Sequence, residues 1–351
     1  MFAGPADGSR RARPSPRRAV GRIPSAERRS LLTVMAGVRR SGAILAPDRS
    51  DPSKSETPMR PRRQIATGTI ALLPVWAVVV VAYLGTIAWT VLISFTGSRT
   101  LPVYDFVGFA QYERLFGTSR WIVSIGNIAT FGVLFIGCCL IIGFLLAVAL
   151  DQKVRAEGAL RTIYLYPYSM SFIVTGLVWQ WIMNPELGLQ RSLRDAGFES
   201  FTFDWAVNRD MAIYAVAVAG IWQASGLVMA ILLAGLRGID QDLWKATKVD
   251  GIPTWRVYLS IVLPLLKPMI VTAVVLLSVA VVKAYDLVVA LTRGGPGIAS
   301  EVPAKFVMDN LFERSNIGLA TAASTVMLVT VLTALVPWLY AEYFRGAKGH
   351  G

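Results

Sequence analysis

Six apolar runs, each near the length of a membrane-crossing helix, are separated by shorter polar segments along the 351 residues. They lie near 69–95, 121–150, 159–183, 211–236, 264–292 and 316–344. A helix needs roughly 20 apolar residues to cross the hydrocarbon layer. The runs are continuous rather than alternating. They therefore predict helices, not the strands of a closed barrel, which is the other structure that satisfies its backbone in lipid. The first 68 residues break the pattern: they are rich in Arg, Pro and Ser and predict a disordered tail. The pattern thus predicts an all-α polytopic membrane protein with six transmembrane helices. Its parts are a tail over 1–68, a membrane domain over 69–344 and a short tail over 345–351.

Polar residues within the runs mark places of interest. The second run carries Gly132, Gly137, Gly143 and Ala147, small residues that let helices approach where lipid supplies no hydrophobic push. Pro167 lies near the inner end of the third run and predicts a kink. Trp179 and Trp181 close that run and suit either an aromatic belt or a substrate contact. Trp222, Gln223, Ser225 and Gly226 fall at mid-depth in the fourth run. Two readings stand here: polar glue between helices, or a sugar-binding surface, with an aromatic face for the C–H groups and an amide for the hydroxyls.

Lys283 and Asp286 lie inside the fifth run. Charges at that depth cost several kcal/mol and are paired, face a cavity or serve function. At i, i+3 they share a helix face, so a structural ion pair and a polar lining of a transport path are both open. The run ends in Thr292-Arg293-Gly294-Gly295-Pro296-Gly297, a strong turn signal. The stretch GFAQYERLF, before the second run, predicts a short helix on the membrane surface.

Composition agrees: 54% hydrophobic and 16% charged residues point to a bilayer as the main solvent. With the N-terminus inside, the inner segments hold 25 of the 35 Lys and Arg, 15 of them before the first run. Arg60, Arg62 and Arg63 abut that run, where the positive-inside rule is strongest. Both termini are therefore expected in the cytoplasm. The net charge of +13 comes mostly from the tail. A basic tail suits anionic lipid or nucleic acid, but composition favours a solvated leader, and no nucleic-acid partner is expected.

Several chemistries have no support. His350 is the sole histidine, and Cys138 and Cys139 are the only cysteines, adjacent on one run. No metal site and no redox pair is expected. No catalytic triad has a histidine to use. No G-x-x-x-x-G-K-[ST] segment occurs, so if ATP drives this protein another subunit binds it.

The polar segment before the fifth run carries the most specific pattern. Lys245-Ala246-Thr247 is followed by Gly251, Ile261 and Leu263-Pro264. In these spacings the chain resembles the inner-membrane permease subunit of binding-protein-dependent ABC importers, in its carbohydrate branch. That family reads Glu-Ala-Ala, then Gly, Ile and Leu-Pro at the same intervals. Lys245 and Thr247 depart from it. Other stretches agree, among them Ile221-Trp222-Gln223 to Gly235-Leu236, and Tyr285-Asp286 to Pro296. The resemblance covers roughly 69–344 and looks most like the maltose-type and α-glucoside-type permeases.

The resemblance implies the type I ABC importer permease fold in a bacterial plasma membrane. It implies that the loop over about 237–263 folds as a coupling helix seated on an ATPase, with Lys245, Ala246, Thr247, Asp250, Gly251, Leu263 and Pro264 as its working residues. Gly251 would form a turn between two helical pieces, and either Asp242 or Asp250 would stand in for the missing Glu or the second permease would carry the stronger contact. The partners implied are a second permease making a heterodimer, two copies of an ABC ATPase holding ATP and magnesium, and an extracytoplasmic sugar-binding protein. The cargo implied is a di- or oligosaccharide or an α-glucoside. Trp222, Gln223, Ser225, Gly226, Lys283 and Asp286 would line its path. The alternative from a different class is an ion-coupled secondary transporter with Lys283 and Asp286 as the coupling pair.

Overall fold

The computed structural model describes residues 72, 74–152 and 155–346, with side chains as far as 333. The predicted tail over 1–68 lies outside the described residues.

Two long apolar helices form the centre. Helix α1 spans Pro74–Ile93 and leaves most of its side chains exposed. A loop carrying the short helix α2 (Ala110–Phe116), the one expected from GFAQYERLF, leads to α3 (Ser119–Asp151). Helix α3 packs along α7 (Ala212–Arg237), and this pair holds most of the core: Phe131, Phe135, Cys139 and Ala147 against Ala219, Val228, Met229 and Leu232. Small residues permit that approach, because a Cβ on Gly143 would meet Val228 Cγ1 at 2.6 Å. Gly137, from the same predicted stripe, has nothing within 4 Å. The stripe is therefore only partly a packing seam.

The third predicted run is broken into pieces. Helix α4 (Glu157–Leu165) ends in a single 3₁₀ turn, Tyr166–Ser169, which starts around Pro167. Proline lacks the N–H that would continue the α ladder, and its ring suits a first turn. Met170 is extended, and the Ser171 hydroxyl caps α5 (Phe172–Ile182) by accepting from Val174 N at 3.3 Å. After α5 come α6 (Leu189–Asp195) and the loop back to α7.

The fifth predicted run is broken twice. Helix α8 (Gln241–Val249) precedes α9 (Thr254–Leu265), and α9 meets α10 (Lys267–Val282) at a bend of 70°. The bend falls at Leu266, between Pro264 and Pro268. The second break is at Lys283-Ala284, whose ψ values of 12° and 3° leave the helix before α11 (Tyr285–Leu291) begins. Helix α12 (Pro303–Met308), extended by one π turn, and α13 (Ile317–Gly346) complete the chain. Helix α13 runs into the segment read as the C-terminal tail.

The protein is thus an all-helical polytopic membrane protein. Among the described residues α1, α3 and α7 are each long and apolar enough to cross a bilayer, and the bent pair α9–α10 is so too when its two parts are taken as one broken span. Helix α5 and the Ile317–Thr333 part of α13 are apolar but shorter.

Candidate functional site

The polar loop builds a short helix capped at both ends. The Asp240 carboxylate accepts from Asp242 N at 2.9 Å and opens α8. At the other end Gly251 takes φ +65°, which a side chain would strain. Gly251 N donates to Lys248 O, and Ile252 N donates to Thr247 O. This double bond pattern, with a left-handed glycine, closes helices tightly. Thr247 is buried and donates to Trp244 O, while Lys245, Ala246 and Asp250 face outward. The Lys245 ammonium sits 2.7 Å from Asp242, an exposed pair worth little to stability. It does, however, blunt the positive charge that Lys245 brings to this face.

Helix α8 is tied to the membrane helices by aromatic rings. Trp244 packs on Tyr258 of α9 at 5.6 Å, and Tyr258 packs edge-on to Phe144 of α3 at 6.4 Å. A groove of about 510 Å³ runs from Asp240 and Leu243 of the loop to Leu266, Pro268 and Met269 at the bend. Gly235 forms its floor, where a Cβ would meet Leu266 Cδ2 at 2.7 Å. Leu263 is half-buried and Pro264 exposed on the near side of the bend. The loop and the hinge of the broken helix therefore adjoin.

The mid-membrane candidates occupy neighbouring elements. Trp222 is 38% exposed on α7, and Ser225 is half-buried there. Gly220, just before Trp222, approaches Leu287 of α11, so α11 lies against this stretch of α7. Lys283 and Asp286 are both exposed at the α10–α11 break. The break corrects the expectation that they share one helix face. Among the described residues no ion pair or hydrogen bond joins them to each other or to Trp222 and Ser225. Two other candidates have local work. Gln223 is buried and donates through Nε2 to Met170 O at 2.7 Å. Gly226 lies so close to α4 that a Cβ would stand 1.9 Å from the Tyr164 carbonyl oxygen. Its smallness is required by packing.

The strongest electrostatic cluster was not visible in the sequence. Arg120, in the first turn of α3, pairs with Glu301 at 2.5 Å and also with Asp309. Lys305 reaches Asp309 at 2.6 Å. Asn127, two turns along α3, donates to the carbonyls of Ala299 and Glu301, both at 2.9 Å. Trp121 and Phe306 pack beneath, with ring centroids 5.3 Å apart. Burial pushes the Glu301 carboxyl above its ordinary range, more than Arg120 and Lys305 pull it down. Together these contacts fasten the segment 299–309 to the start of α3. The only hint in the sequence was Lys305 and Asp309 at i, i+4; no local spacing announces partners 181 and 189 residues away.

Comparison with known proteins follows this geometry. Residues 139–345 match the family model described as binding-protein-dependent transport system inner membrane component. A protein of Pyrococcus horikoshii described as a probable ABC transporter permease is 37% identical over 259 residues, covering 73% of this chain and 89% of the relative. The xylose/arabinose import permease of Haloferax volcanii is 34% identical over 270 residues, covering 76% and 84%. Among solved structures, a chain of a bacterial ABC transporter that imports the acidic polysaccharide alginate matches with a TM-score of 0.67 and 19% identity, over 81% of this chain and 96% of that one.

Proposed function

Since the chain belongs to the family of binding-protein-dependent transport system inner membrane components, as a membrane permease subunit of an ABC importer, we propose that its cargo is a sugar and that α8 is its coupling helix. The observation that carries the coupling reading is the capped helix α8 lying beside the bend at Leu266. The sugar reading is supported by the exposed Trp222 and the two exposed charges at the α10–α11 break, and by the similar permease named for xylose and arabinose. A di- or oligosaccharide or an α-glucoside suits an aromatic face flanked by amide and charged groups.

In this reading the chain makes six crossings, with α4–α5 and α13 supplying the two beyond the four described above. A second permease completes the pore as a heterodimer. Two copies of an ATPase, holding ATP and magnesium, dock on the coupling helices. An extracytoplasmic binding protein delivers sugar to the opposite face, and both termini lie in the cytoplasm of a bacterium. Closure of the ATPases presses on Ala246, Lys245 and Asp250. Trp244 passes the displacement to Tyr258, and the hinge between Pro264 and Pro268 converts it into a swing of α10. That swing moves Lys283 and Asp286 relative to Trp222, Gln223 and Ser225, which together line the sugar path.

Lys283→Gln and Asp286→Asn are each expected to raise the KM for sugar uptake about tenfold or more, since hydrogen bonds to charged groups contribute about 1.5–3 kcal/mol. ATP-driven uptake into membrane vesicles, at matched protein level, measures this. An unchanged KM in both variants would remove these residues from the path. The ion-coupled alternative gains nothing from the geometry, because its proposed pair is not formed.

A further inference from the structure

We propose that the loop over 97–109, between α1 and α2, lies in the lipid headgroup layer with Tyr104, Phe106 and Phe109 turned into the lipid, and so fastens the Ile93 end of α1 to the membrane surface. Neither the coupling reading nor the sugar reading uses this surface. The starting point is an inverted pattern of burial. Ser94, Thr96 and Ser98 are buried, whereas Leu101, Val103, Tyr104, Phe106, Val107 and Phe109 are exposed. The three rings are 71, 75 and 69% exposed. A loop in water has the opposite arrangement, because its polar groups bond to solvent and its contiguous apolar surface stays small.

Local bonds build this arrangement. Gly97 N donates to Asp105 O and Val107 N to Phe95 O, so the loop closes on itself as a short antiparallel pair. The Ser98 hydroxyl donates to Val103 O at 2.8 Å and accepts from Val103 N at 3.0 Å. The Thr96 hydroxyl bonds to that of Ser98, and the Ser94 hydroxyl to that of Tyr112, both at 2.7 Å. This polar side is seated on protein. Gly318 N, at the start of α13, donates to Ser98 O at 2.8 Å, and Gln111 of α2 donates to Thr96 O at 3.1 Å. Leu115 of α2 shares a small core with Leu319 and Ala323 of α13. Helix α2, expected on the membrane surface, is therefore docked on α13, and the segment before it carries the exposed rings.

The depth of the loop follows from α1, which is long and apolar enough to cross the bilayer. Trp89 lies four residues before Ile93, about 6 Å back along the helix axis. The Tyr104 ring meets the Trp89 ring edge to face, with centroids 5.9 Å apart. The loop thus folds back beside the last turns of the spanning helix instead of rising away from it. Phe95, at the end of α1, stacks on Phe106 at 6.1 Å and meets Phe109 edge-on at 5.4 Å. Trp89 and Leu92 are themselves exposed, so the aromatic patch adjoins the open flank of α1. At the level where a spanning helix ends, Trp and Tyr place an apolar body in the acyl chains and a polar tip among the headgroups. Lipid is the occupant that suits a surface with its polar groups turned inward at that level, and among the described residues no protein group covers the three rings.

The test uses the chain with every protein it retains from native membranes, reconstituted in liposomes of phosphatidylcholine and phosphatidylglycerol. Tyr104→Cys, Phe106→Cys and Phe109→Cys are made one at a time in a background where Cys138 and Cys139, the only native cysteines, are replaced by Ala. Each variant carries a nitroxide spin label, and Glu199→Cys, at an exposed loop position, is the water control. Electron paramagnetic resonance reads collisions with oxygen, which concentrates in lipid, and with a nickel chelate, which stays in water. Relative to the Glu199 site, all three sites are expected to gain oxygen collisions and to lose most nickel collisions. Nickel collisions at any of the three as frequent as at the Glu199 site overturn the proposal, since they place the loop in water. Loss of both kinds of collision overturns it as well, because a protein partner, such as a second permease or a binding protein, then covers the loop. A variant that fails to fold leaves the other two sites to decide.

Discussion

Arg120→Ala is expected to lower the unfolding temperature of the detergent-purified protein by roughly 10 °C, from a loss of about 3–5 kcal/mol. Glu301 is 1% exposed and Arg120 15%, so the variant leaves a buried carboxylate without its cation. Asp309 keeps Lys305, but among the described residues Glu301 keeps no cation within ion-pair distance. Such half-broken pairs cost more than the intact pair contributes, because the charge that remains is still desolvated. Glu301→Gln should cost clearly less. Burial already disfavours that charge and holds the carboxyl above its ordinary range, and the amide keeps a hydrogen-bond acceptor for Arg120. Arg120→Met combined with Glu301→Gln and Asp309→Asn should recover much of the loss. Thermal unfolding followed by tryptophan fluorescence reports all three. Equal destabilisation by Arg120→Ala and Glu301→Gln would contradict the electrostatic account.

Gly226→Ala is expected to be the most damaging methyl added at any of the described glycines. The new carbon would stand 1.9 Å from the Tyr164 carbonyl oxygen and 3.2 Å from Leu165 N. These are backbone atoms at the end of α4, so no side-chain rotation relieves the overlap. Relief requires α4 to move off α7 by more than 1 Å. Overpacking of this kind costs about 1–3 kcal/mol in well-packed cores, and backbone displacement puts it at the upper end. Helix α4 is also held to α7 by the Glu157–Arg237 pair at 2.6 Å, which the shift would strain. Reduced thermal stability and loss of uptake are both expected. Gly137→Ala on α3 is the matched control, since its added methyl meets nothing within 4 Å. Similar behaviour of the two variants would mean that α4 and α7 are not packed as described.

The parts of this fold that local chemistry dictates were legible in the sequence. Continuous apolar runs announced helices in lipid, and prolines marked where those helices break. Pro167 lies in the break between α4 and α5, and Pro264 and Pro268 flank the bend at Leu266. Gly251 announced the left-handed turn that closes α8, because few other residues adopt that conformation without strain. What depends on three-dimensional neighbours was not legible. The i, i+3 spacing of Lys283 and Asp286 implied a common face only if the helix continued, and no proline or glycine warns of the break at Lys283-Ala284. Gly226 looked like a small residue beside a binding surface, whereas its partner is the carbonyl of a residue 62 positions earlier. The Arg120 cluster joins the start of α3 to a distant loop, and nothing in either segment names the other.

The central claim is that α8 is the surface through which an ATPase drives this permease. Affinity purification of the tagged chain from native membranes, with mass spectrometry of the proteins retained, tests it most directly when wild type is run beside Ala246→Asp. Ala246 is exposed on α8, so the substitution alters the docking face and not the core. The account predicts that wild type retains an ABC ATPase and a second multi-span permease, and that Ala246→Asp keeps the permease but loses most of the ATPase. Recovery of the wild-type chain alone, in a detergent that keeps a known membrane complex intact, or an ATPase retained equally by both proteins, would contradict it.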